Sequence, residues 1–381
     1  MYLSFDLMSA DVISVWLGNK QTSLYKFPST FATTVRALGG GVFKSMHRIQ
    51  FVHKYNHIIS LENLLEAWGE FICGKRKRED VQIFERNLMN NLIALHNDLR
   101  EGKYRHSLYK AFNISDPKPR RIHKASVRDR VLHHAIYRKI YPFFERTFIA
   151  DSYSCRINKG THKAGIKFQN YARRVSSNNT RTCWVLKCDI RKFFASIDHG
   201  ILLEILAGYI PDLEILLLLE EIVDSFNGDI GVGLPLGNFM SQIFCNIYMN
   251  EFDHFVKHKL KAKYYIRYAD DFVLLSEDKD WLEAQIPWIS DYLNAGLKLS
   301  LHPNKVSIES FSSGVDFLGW IYFPTHKVIR TVTKRRMFKK VLASNVEETL
   351  QSYLGMLSHG NSFGLQEELL SLNKRDTKVG G

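Results

Sequence analysis

Residues 264–276 read YYIRYADDFVLLS, and this stretch decides the fold. Aromatic and β-branched residues, which favour strands, lie on both sides of two adjacent carboxylates, Asp270 and Asp271. A two-residue turn would fold the stretch into a hairpin with both acids at its tip. Because adjacent like charges repel, this arrangement costs stability. We interpret that cost as a sign that the hairpin holds a cation.

A third carboxylate, Asp189, stands where the short apolar strand that begins at Trp184 would end. Asp189 and Asp270 are 81 residues apart, so only the fold can bring them together. Two or three carboxylates around Mg²⁺ are the minimal set for two-metal phosphoryl transfer. One ion activates the attacking 3′-hydroxyl and the other neutralises the leaving pyrophosphate. Asp198, nine residues further on at the edge of a helix, is interpreted as structural.

Composition narrows the class of protein. The 381 residues are 45% hydrophobic and 24% charged, which excludes wholesale disorder, a collagen-like chain and a membrane bundle. The five cysteines are scattered and odd in number, without a C-x-x-C pair, so neither a disulfide framework nor a zinc site is expected. With no secretion signal and no apolar run long enough to span a bilayer, we expect a cytoplasmic protein with no membrane partner.

The net charge of +13 favours a polyanionic partner, most simply nucleic acid. Basic residues cluster in three runs, 75–78, 118–146 and 327–340, and aromatic residues interleave the second. This pattern predicts a groove that follows a phosphate backbone. The plainer alternative is that the runs are solvated faces of helices.

Hydrophobic periodicity divides the chain into regions. Residues 1–45 show no sustained period, and we expect an appended segment that is partly disordered. Helices should begin after a cap at Ser60, continue with one helix through 81–99 and include a long helix over 127–144. Strands and helices then alternate, with one helix expected over 201–223. The fold class is therefore α+β, a small antiparallel sheet backed by helices, followed by a smaller helical unit.

The order of motifs resembles that of a reverse transcriptase over roughly residues 60–372. Seven motifs carry the resemblance: PKPRRIHKASVRDRVLHHAIY (117–137), DSYSCRINKGTHKA (151–164), KCDIRKFFASIDH (187–199), GLPLGNFMSQIFCNIYMNEFDHF (233–255), YADD (268–271), LKLSLHPNKVSI (297–308) and FLGW (317–320). Each is modestly specific alone, and their common order makes the set very specific. The resemblance implies a right-hand polymerase with fingers over 46–180, palm over 181–322 and a short helical thumb over 323–381.

The resemblance also implies roles for individual residues. Asp189, Asp270 and Asp271 match the ligands of two Mg²⁺ ions, for which Mn²⁺ can substitute. Lys305 matches the lysine proposed to protonate the leaving pyrophosphate, although a surface lysine is an equal alternative. The remaining matched positions are the triphosphate-binding Arg120 and Arg156, the sugar-contacting Phe194, the positioning-motif residues Leu236, Gly237 and Gln242, and the primer grip formed by Phe317, Leu318, Gly319 and Trp320.

Phe194 lies five residues after Asp189, where the family places a bulky residue beside the sugar 2′ position. An aromatic ring there excludes ribonucleotides by a clash, so the product should be DNA. The alternative for Phe194 is an ordinary core residue. For either arginine alone, the alternative is a surface cation.

One departure indicates a subtype. Leu236 stands where retroviral and group II intron enzymes carry glutamine, and the Leu-Gly-x-x-x-Ser-Gln form is similar to diversity-generating retroelement enzymes and their bacterial relatives. An aliphatic group cannot donate a hydrogen bond to the nascent pair, so looser checking of each pair is expected. The resemblance implies error-prone copying at template adenines. Expected partners are an RNA template, a DNA or RNA primer, dNTPs and a small basic accessory protein.

Two alternatives to a diversity-generating enzyme stay open. One is an antiphage or abortive-infection reverse transcriptase, which the motifs do not distinguish from a diversity-generating enzyme. The other, from a different class, is an RNA-binding protein with an inactive palm. The intact Asp189, Asp270 and Asp271 argue against it.

Overall fold

The computed structural model describes residues 49–115, 118–226, 231–343 and 347–376, with side chains described up to 371. The predicted appended segment, 1–45, lies outside the described residues. The described residues belong to one compact unit. Among the described helices, none combines the length and apolar character needed to cross a bilayer.

Four helices begin the described chain: α1 (Tyr55–Ile59), α2 (Leu61–Phe71), α3 (Glu79–Arg86) and α4 (Leu88–Arg100). Ser60 caps α2 as predicted, because its Oγ accepts a hydrogen bond from the backbone N–H of Asn63 at 3.2 Å. The single helix predicted through 81–99 was wrong. Asn87 adopts φ −122° and ψ 38°, which is not helical, and divides the segment into α3 and α4.

An exposed antiparallel hairpin follows, made of β1 (Lys110–Ile114) and β2 (Arg120–Lys124). The long helix α5 has the predicted bounds, Val127–Phe144, and packs against α2. Helix α6 (Thr161–Val175) comes next and packs against the central sheet.

The central sheet contains β3 (Trp184–Asp189), β4 (Tyr265–Tyr268), β5 (Asp271–Ser276) and β6 (Ser307–Ser310) in the order β4-β5-β3-β6. Every pairing is antiparallel, which confirms the predicted sheet. Side chains alternate between its faces. Val185 and Val273 share a core with Phe168 of α6. On the other face, Phe272 contacts Phe252, with ring centroids 5.0 Å apart.

The helices between the strands are α7 (His199–Ala207), α8 (Leu213–Asp224), α9 (Phe239–His258) and α10 (Lys279–Leu297). The one helix expected over 201–223 is two, α7 and α8. Pro211 lies in the break, and Asp212 caps the new helix by accepting a hydrogen bond from the N–H of Ile215 at 3.3 Å. Helices α9 and α10 back the sheet, as the α+β class predicts.

A second sheet joins β7 (Val315–Phe317), β8 (Trp320–Tyr322) and β9 (Lys327–Ile329). Because β9 pairs with β8, this sheet extends past residue 322, where we expected the palm to end. Three helices complete the chain: α11 (Thr331–Ala343), α12 (Glu347–Leu357) and α13 (Phe363–Asp376). Their buried side chains share the core that contains Phe168 and Trp320.

Candidate active site

The strand register brings the three predicted carboxylates to one end of the central sheet. Asp189, the last residue of β3, pairs directly with Asp271, the first residue of β5. Tyr268 also pairs with Asp271, so Ala269 and Asp270 form a two-residue turn between β4 and β5. This confirms the predicted hairpin. Ala269 adopts φ +55°, an unfavourable backbone for a residue with a Cβ atom.

The carboxylates are crowded, and their protonation reflects it. Burial, and after it the neighbouring charges of Asp270 and Asp189, together raise the pKa of Asp271 to about 7. The pKa of Asp270 is also raised, first by burial and then by Asp189. A raised carboxyl pKa means that the anion lacks compensating positive charge. A bound cation would supply that charge.

The present side-chain arrangement is an ion pair and not a metal cluster. Lys305 donates from Nζ to Oδ2 of Asp189 at 2.9 Å. Across the described ranges, no group of three or more His, Cys, Asp or Glu side chains is arranged to hold a metal ion. The donor set itself fits a hard divalent cation, because it consists of carboxylate oxygens alone. Asp189, Asp270 and Asp271 are thus the residues that could hold Mg²⁺.

The two predicted fingers arginines have different surroundings. Arg120 is exposed at the start of β2. Its positive charge is near enough to Asp270 to lower the pKa of that carboxyl, although burial and Asp189 outweigh it. The role predicted for Arg120, binding of the triphosphate, stays a prediction.

The structure corrects the prediction that Arg156 binds the triphosphate. Its side chain is only 4% exposed and forms a two-pronged pair with Glu145, from Nε to Oε2 at 3.0 Å and from Nη2 to Oε1 at 2.7 Å. Nη1 donates to the carbonyl oxygens of Ile149 and Ser152. Because four of its five N–H donors are bonded inside the protein, Arg156 orders the loop after α5 and is not available for two-pronged phosphate binding.

Phe194 lies beside the segment that carries the positioning motif. It sits on a short 3₁₀ turn, Phe193–Ser196, and its carbonyl accepts a hydrogen bond from the N–H of Leu234 at 2.7 Å. Its neighbour Phe193 is 3% exposed and belongs to the core, whereas Phe194 is half-buried. Of the two adjacent rings, Phe194 is the one that could reach a ligand.

The predicted positioning motif contacts the β1–β2 hairpin. His123 of β2 donates its N–H to the carbonyl of Leu236 at 3.0 Å and accepts a bond from the Asn238 amide at 2.7 Å. Gly237 adopts φ +94°, and a Cβ there would lie 2.6 Å from a methyl of Ile122. Only glycine permits both this backbone and this close approach. Leu236 and Gln242, in the first turn of α9, are both half-buried.

The FLGW stretch is a tight hairpin, and half of the predicted primer grip is core. Leu318 and Gly319 form the turn between β7 and β8 with φ +49° and +93°. Phe317 and Trp320 are 2% and 7% exposed, and the Phe317 ring lies 5.2 Å from that of Phe168. The prediction is therefore corrected for Phe317 and Trp320, which pack inside the protein. Only the turn residues could touch a primer.

Two more predictions have clear outcomes. Asp198 is structural, as interpreted: it caps α7 through the N–H of Ile201 at 3.0 Å and pairs with Lys298 at 2.6 Å. Four of the nine Lys and Arg residues in the basic run 118–146 are paired with acids, so the run is neutralised only in part. The paired members are Lys124 and Arg130 with Asp80, Arg128 with Asp98, and Arg138 with Glu66 and Glu70.

Sequence reasoning missed Arg267, which lies in β4 and is fully buried against Asp253 of α9, with Nη2 and Oδ2 2.7 Å apart. The sequence does contain a sign of this pair, because a single basic residue interrupts the apolar and aromatic residues of 264–268. Lys and Arg are almost never fully buried unless they are paired. A charge within a strand that otherwise reads as buried predicts such a partner.

The model of the family described as reverse transcriptase (RNA-dependent DNA polymerase) matches residues 114–322, a range that contains all seven motifs. The chain belongs to the reverse transcriptase family. Its α+β architecture is accordingly that of a right-hand polymerase, as the motifs predicted. The family's enzymes are RNA-directed DNA polymerases, which are nucleotidyltransferases that copy an RNA template.

Individual relatives are more distant. YkfC of Escherichia coli is 26% identical over 290 residues, which cover 65% of this chain and 74% of YkfC. The putative COX1/OXI3 intron 2 protein of Saccharomyces cerevisiae is 21% identical over 256 residues, 51% of this chain and 29% of that protein. The chain thus spans less than a third of that intron protein. Neither is named as a diversity-generating enzyme, so that subtype stays a prediction.

A solved structure, apo telomerase from Candida tropicalis, is 14% identical with a TM-score of 0.44. The match covers 64% of this chain and 60% of the telomerase chain. Since this TM-score is below 0.5, the family assignment depends on the sequence match over 114–322.

Proposed function

We propose that this chain synthesises DNA on an RNA template by two-metal nucleotidyl transfer, within a diversity-generating retroelement that makes error-prone cDNA. The observation that carries the chemistry is the strand register, which sets Asp189 opposite Asp271 with Asp270 in the adjoining turn. The match to the reverse transcriptase family supports the same assignment.

Asp189, Asp270 and Asp271 would hold two Mg²⁺ ions, for which Mn²⁺ can substitute. When bound, the ions supply activation of the primer 3′-hydroxyl and neutralisation of the leaving pyrophosphate. The aspartates contribute fixed negative charge at the end of a rigid sheet. Since burial and mutual repulsion raise the pKa of Asp270 and of Asp271, both carboxyls gain from a cation that favours their ionised form.

Two cations of the chain act on the phosphates. Arg120 is exposed at the start of β2 and its charge lowers the pKa of Asp270, and its planar guanidinium can bind two phosphate oxygens of the incoming dNTP. Lys305 donates from Nζ to Asp189, so its ammonium lies beside a proposed metal ligand. From there we assign it the transfer of a proton from Nζ to an oxygen of the leaving pyrophosphate.

The remaining residues select and align the substrates. Phe194 occupies space beside the sugar 2′ carbon and so excludes ribonucleotides. Leu236, Gly237 and Gln242 line the nascent base pair from a segment that the fingers hairpin holds in place. The turn formed by Leu318 and Gly319 contacts the primer strand.

Activity can be tested with the purified full-length chain, an RNA template annealed to a DNA primer, and dNTPs. We expect primer extension that stops in EDTA and returns with Mg²⁺ or Mn²⁺ but not with Zn²⁺, because carboxylate oxygens prefer hard cations. Matched reactions without template distinguish templated synthesis from addition of untemplated nucleotides. Extension that persists in excess EDTA, or that ignores the RNA sequence, would contradict the proposal.

The subtype depends on Leu236 and needs its own test. cDNA copied from a defined RNA should contain errors concentrated opposite adenine, and Leu236→Gln should lower the error rate, because the amide can again hydrogen-bond the nascent pair. The preference for adenine comes from the family resemblance alone. A low and even error rate in the wild type would favour the antiphage or abortive-infection alternative and leave the polymerase assignment intact. Neighbouring DNA with a template repeat, a variable repeat and a small basic accessory gene would favour the retroelement.

A further inference from the structure

Arg267 lies two residues before Ala269 of the catalytic turn, in β4, an edge strand of the central sheet. That strand, β4, is not left open: Arg267 donates its backbone N–H to the carbonyl of Asp151 and accepts the N–H of Tyr153, both at 3.0 Å. The segment 151–153 thus covers the strand edge. The DSYSCR motif therefore contacts the catalytic hairpin through its backbone.

The side chain of Arg267 uses its whole hydrogen-bonding capacity. Nε and Nη2 donate to the two carboxylate oxygens of Asp253, each at 2.7 Å. Nη2 also donates to Oγ of Ser152 at 3.2 Å. Nη1 donates to Oδ1 of Asn246 at 3.4 Å and to the carbonyl oxygen of Ala269 at 3.2 Å. These five bonds equal the five N–H donors of a guanidinium.

The bond to Ala269 links this buried network to the catalytic carboxylates. Ala269 is the turn residue with φ +55°, and Asp270 follows it. The carbonyl of Asp270 in turn accepts the N–H of Ile190 at 3.3 Å, and Ile190 follows Asp189. Holding the Ala269 carbonyl therefore fixes the peptide that leads to Asp270 and, with it, the distance to Asp189.

Stability alone is a weak explanation for this network. Arg267 and Asp253 are both 0% exposed, so both charges lose their hydration on folding. Pairs of this kind often contribute no more than well-packed apolar residues of similar volume. The planar guanidinium of Arg267 has all of its donors occupied. It therefore holds several acceptors in one fixed geometry, which apolar side chains cannot do. A turn that must be held in an unfavourable backbone conformation needs such support.

We infer that Arg267 is a positioning residue that holds the Ala269 carbonyl and thereby keeps Asp270 beside Asp189 for cation binding. The inference rests on the proposed polymerase function and adds to it a residue that touches neither substrate nor metal. This role requires the branched guanidinium of Arg267 as well as its positive charge. Loss of the guanidinium should therefore weaken cation binding by more than it weakens folding.

The test compares Arg267→Lys with the matched variant Tyr265→Phe. Lysine keeps the charge beside Asp253 but cannot also reach Ala269. Tyr265 is equally buried and donates its hydroxyl to Oδ1 of Asp253 at 2.7 Å, so Tyr265→Phe loosens the same network without touching the turn. Mn²⁺ binding is measured by electron paramagnetic resonance on the full chain without substrates, next to thermal unfolding and primer extension.

We expect Arg267→Lys to weaken Mn²⁺ affinity about 10-fold or more, the usual effect of losing a residue that orients a metal ligand. Tyr265→Phe should bind Mn²⁺ like the wild type even where its melting temperature falls as far. Equal Mn²⁺ affinity in wild type and Arg267→Lys overturns the inference. So does a loss in both variants that follows their melting temperatures, because that is the signature of a purely structural network.

A second variant covers the case in which Arg267→Lys does not fold. The double variant Arg267→Gln/Asp253→Asn leaves no unpaired buried charge, and it too lacks the guanidinium. The same loss of Mn²⁺ affinity is expected, and wild-type affinity in the folded double variant contradicts the inference. The proposed function fails separately: a wild-type chain that binds no Mn²⁺ and extends no primer refutes the polymerase assignment before any variant is compared.

Discussion

Two hairpins with two-residue turns, β4–β5 and β7–β8, lie within sixty residues of each other and differ in what surrounds their turns. The first turn, Ala269 and Asp270, carries one carboxylate and adjoins a second, Asp271, and burial and mutual repulsion raise the pKa of both. The second, Leu318 and Gly319, carries no charge, and the residues before and after it are buried aromatics. Each turn contains a non-glycine residue at positive φ.

The difference lies in how each turn is stabilised. Apolar packing supports the β7–β8 turn, with Trp320 closing against the helical tail so tightly that a Cβ at Gly360 would lie 2.1 Å from its ring. The β4–β5 turn is supported by a hydrogen bond from Arg267 to the Ala269 carbonyl, and the charge of Asp270 in it is repelled by those of Asp189 and Asp271. A turn that is unfavourable both in backbone and in charge is a candidate for function, whereas a turn held by packing is a candidate for stability.

The largest expected effect on stability comes from the β7–β8 hairpin. Trp320→Ala should lower the free energy of unfolding by about 3–5 kcal/mol, because a buried aromatic ring is replaced by a cavity. Leu318→Ala, at the half-buried turn, is the matched variant and should cost much less while weakening primer use. Urea unfolding and primer-titration assays measure the two effects. If Leu318→Ala is the more destabilising of the two, the contrast between the hairpins is wrong.

The next effect is the pH dependence of the unfolding free energy, which Asp271 in the β4–β5 hairpin should cause. The pKa of Asp271 is raised from 3.8 to about 7, so the folded state holds a proton that the unfolded chain releases. The stabilisation from the protonated carboxyl is therefore complete below 3.8 and is lost as the pH rises to about 7. We expect the unfolding free energy, measured in a chelator, to fall over that window. Asp271→Asn should flatten the curve, and a wild-type curve that rises there would contradict the electrostatic account.

A smaller effect should separate two adjacent rings. Phe194→Ala should raise ribonucleotide incorporation relative to deoxyribonucleotides, because it opens space beside the sugar 2′ carbon. Phe193→Ala, in the core, should lower stability and leave that ratio unchanged. Competition assays with paired nucleotides give the ratio for both variants. An unchanged ratio in Phe194→Ala would mean that Phe194 only packs against its neighbours and does not select the sugar.

The smallest effect tests the basic run 327–340. Arg335 and Lys339 are exposed and lie one turn apart on α11, the helix that follows the β7–β9 sheet. Replacing both by alanine should reduce the salt dependence of RNA binding by about 1–2 units of log–log slope, as expected for two lost phosphate contacts. Lys279→Ala, which removes a cation paired with Glu283 on α10, is the control and should leave the slope unchanged. An unchanged slope in the double variant would mean that this part of the basic run is a solvated helix face that does not contact RNA.

Periodicity and motif order predicted the antiparallel sheet, the hairpin at Asp270 and the bounds of α5, because these features depend on local pattern. The breaks at Asn87 and Pro211 were missed, since apolar spacing continued across both. The surroundings of Arg156 and Trp320 could not be read from motifs, because burial depends on which distant elements pack there. The same applies to the basic run 118–146, whose partners lie on α2, α3 and α4.

The central claim is that the carboxylates gathered at the ends of β3 and β5 catalyse DNA synthesis. Primer extension by the double variant Asp189→Asn/Asp270→Asn tests this claim most directly. Both substitutions keep side-chain volume and remove crowded negative charge, so the variant should melt at or above the wild-type temperature and still bind RNA. We predict that its extension on an RNA template falls by several orders of magnitude. A folded double variant that extends the primer at the wild-type rate would contradict the account.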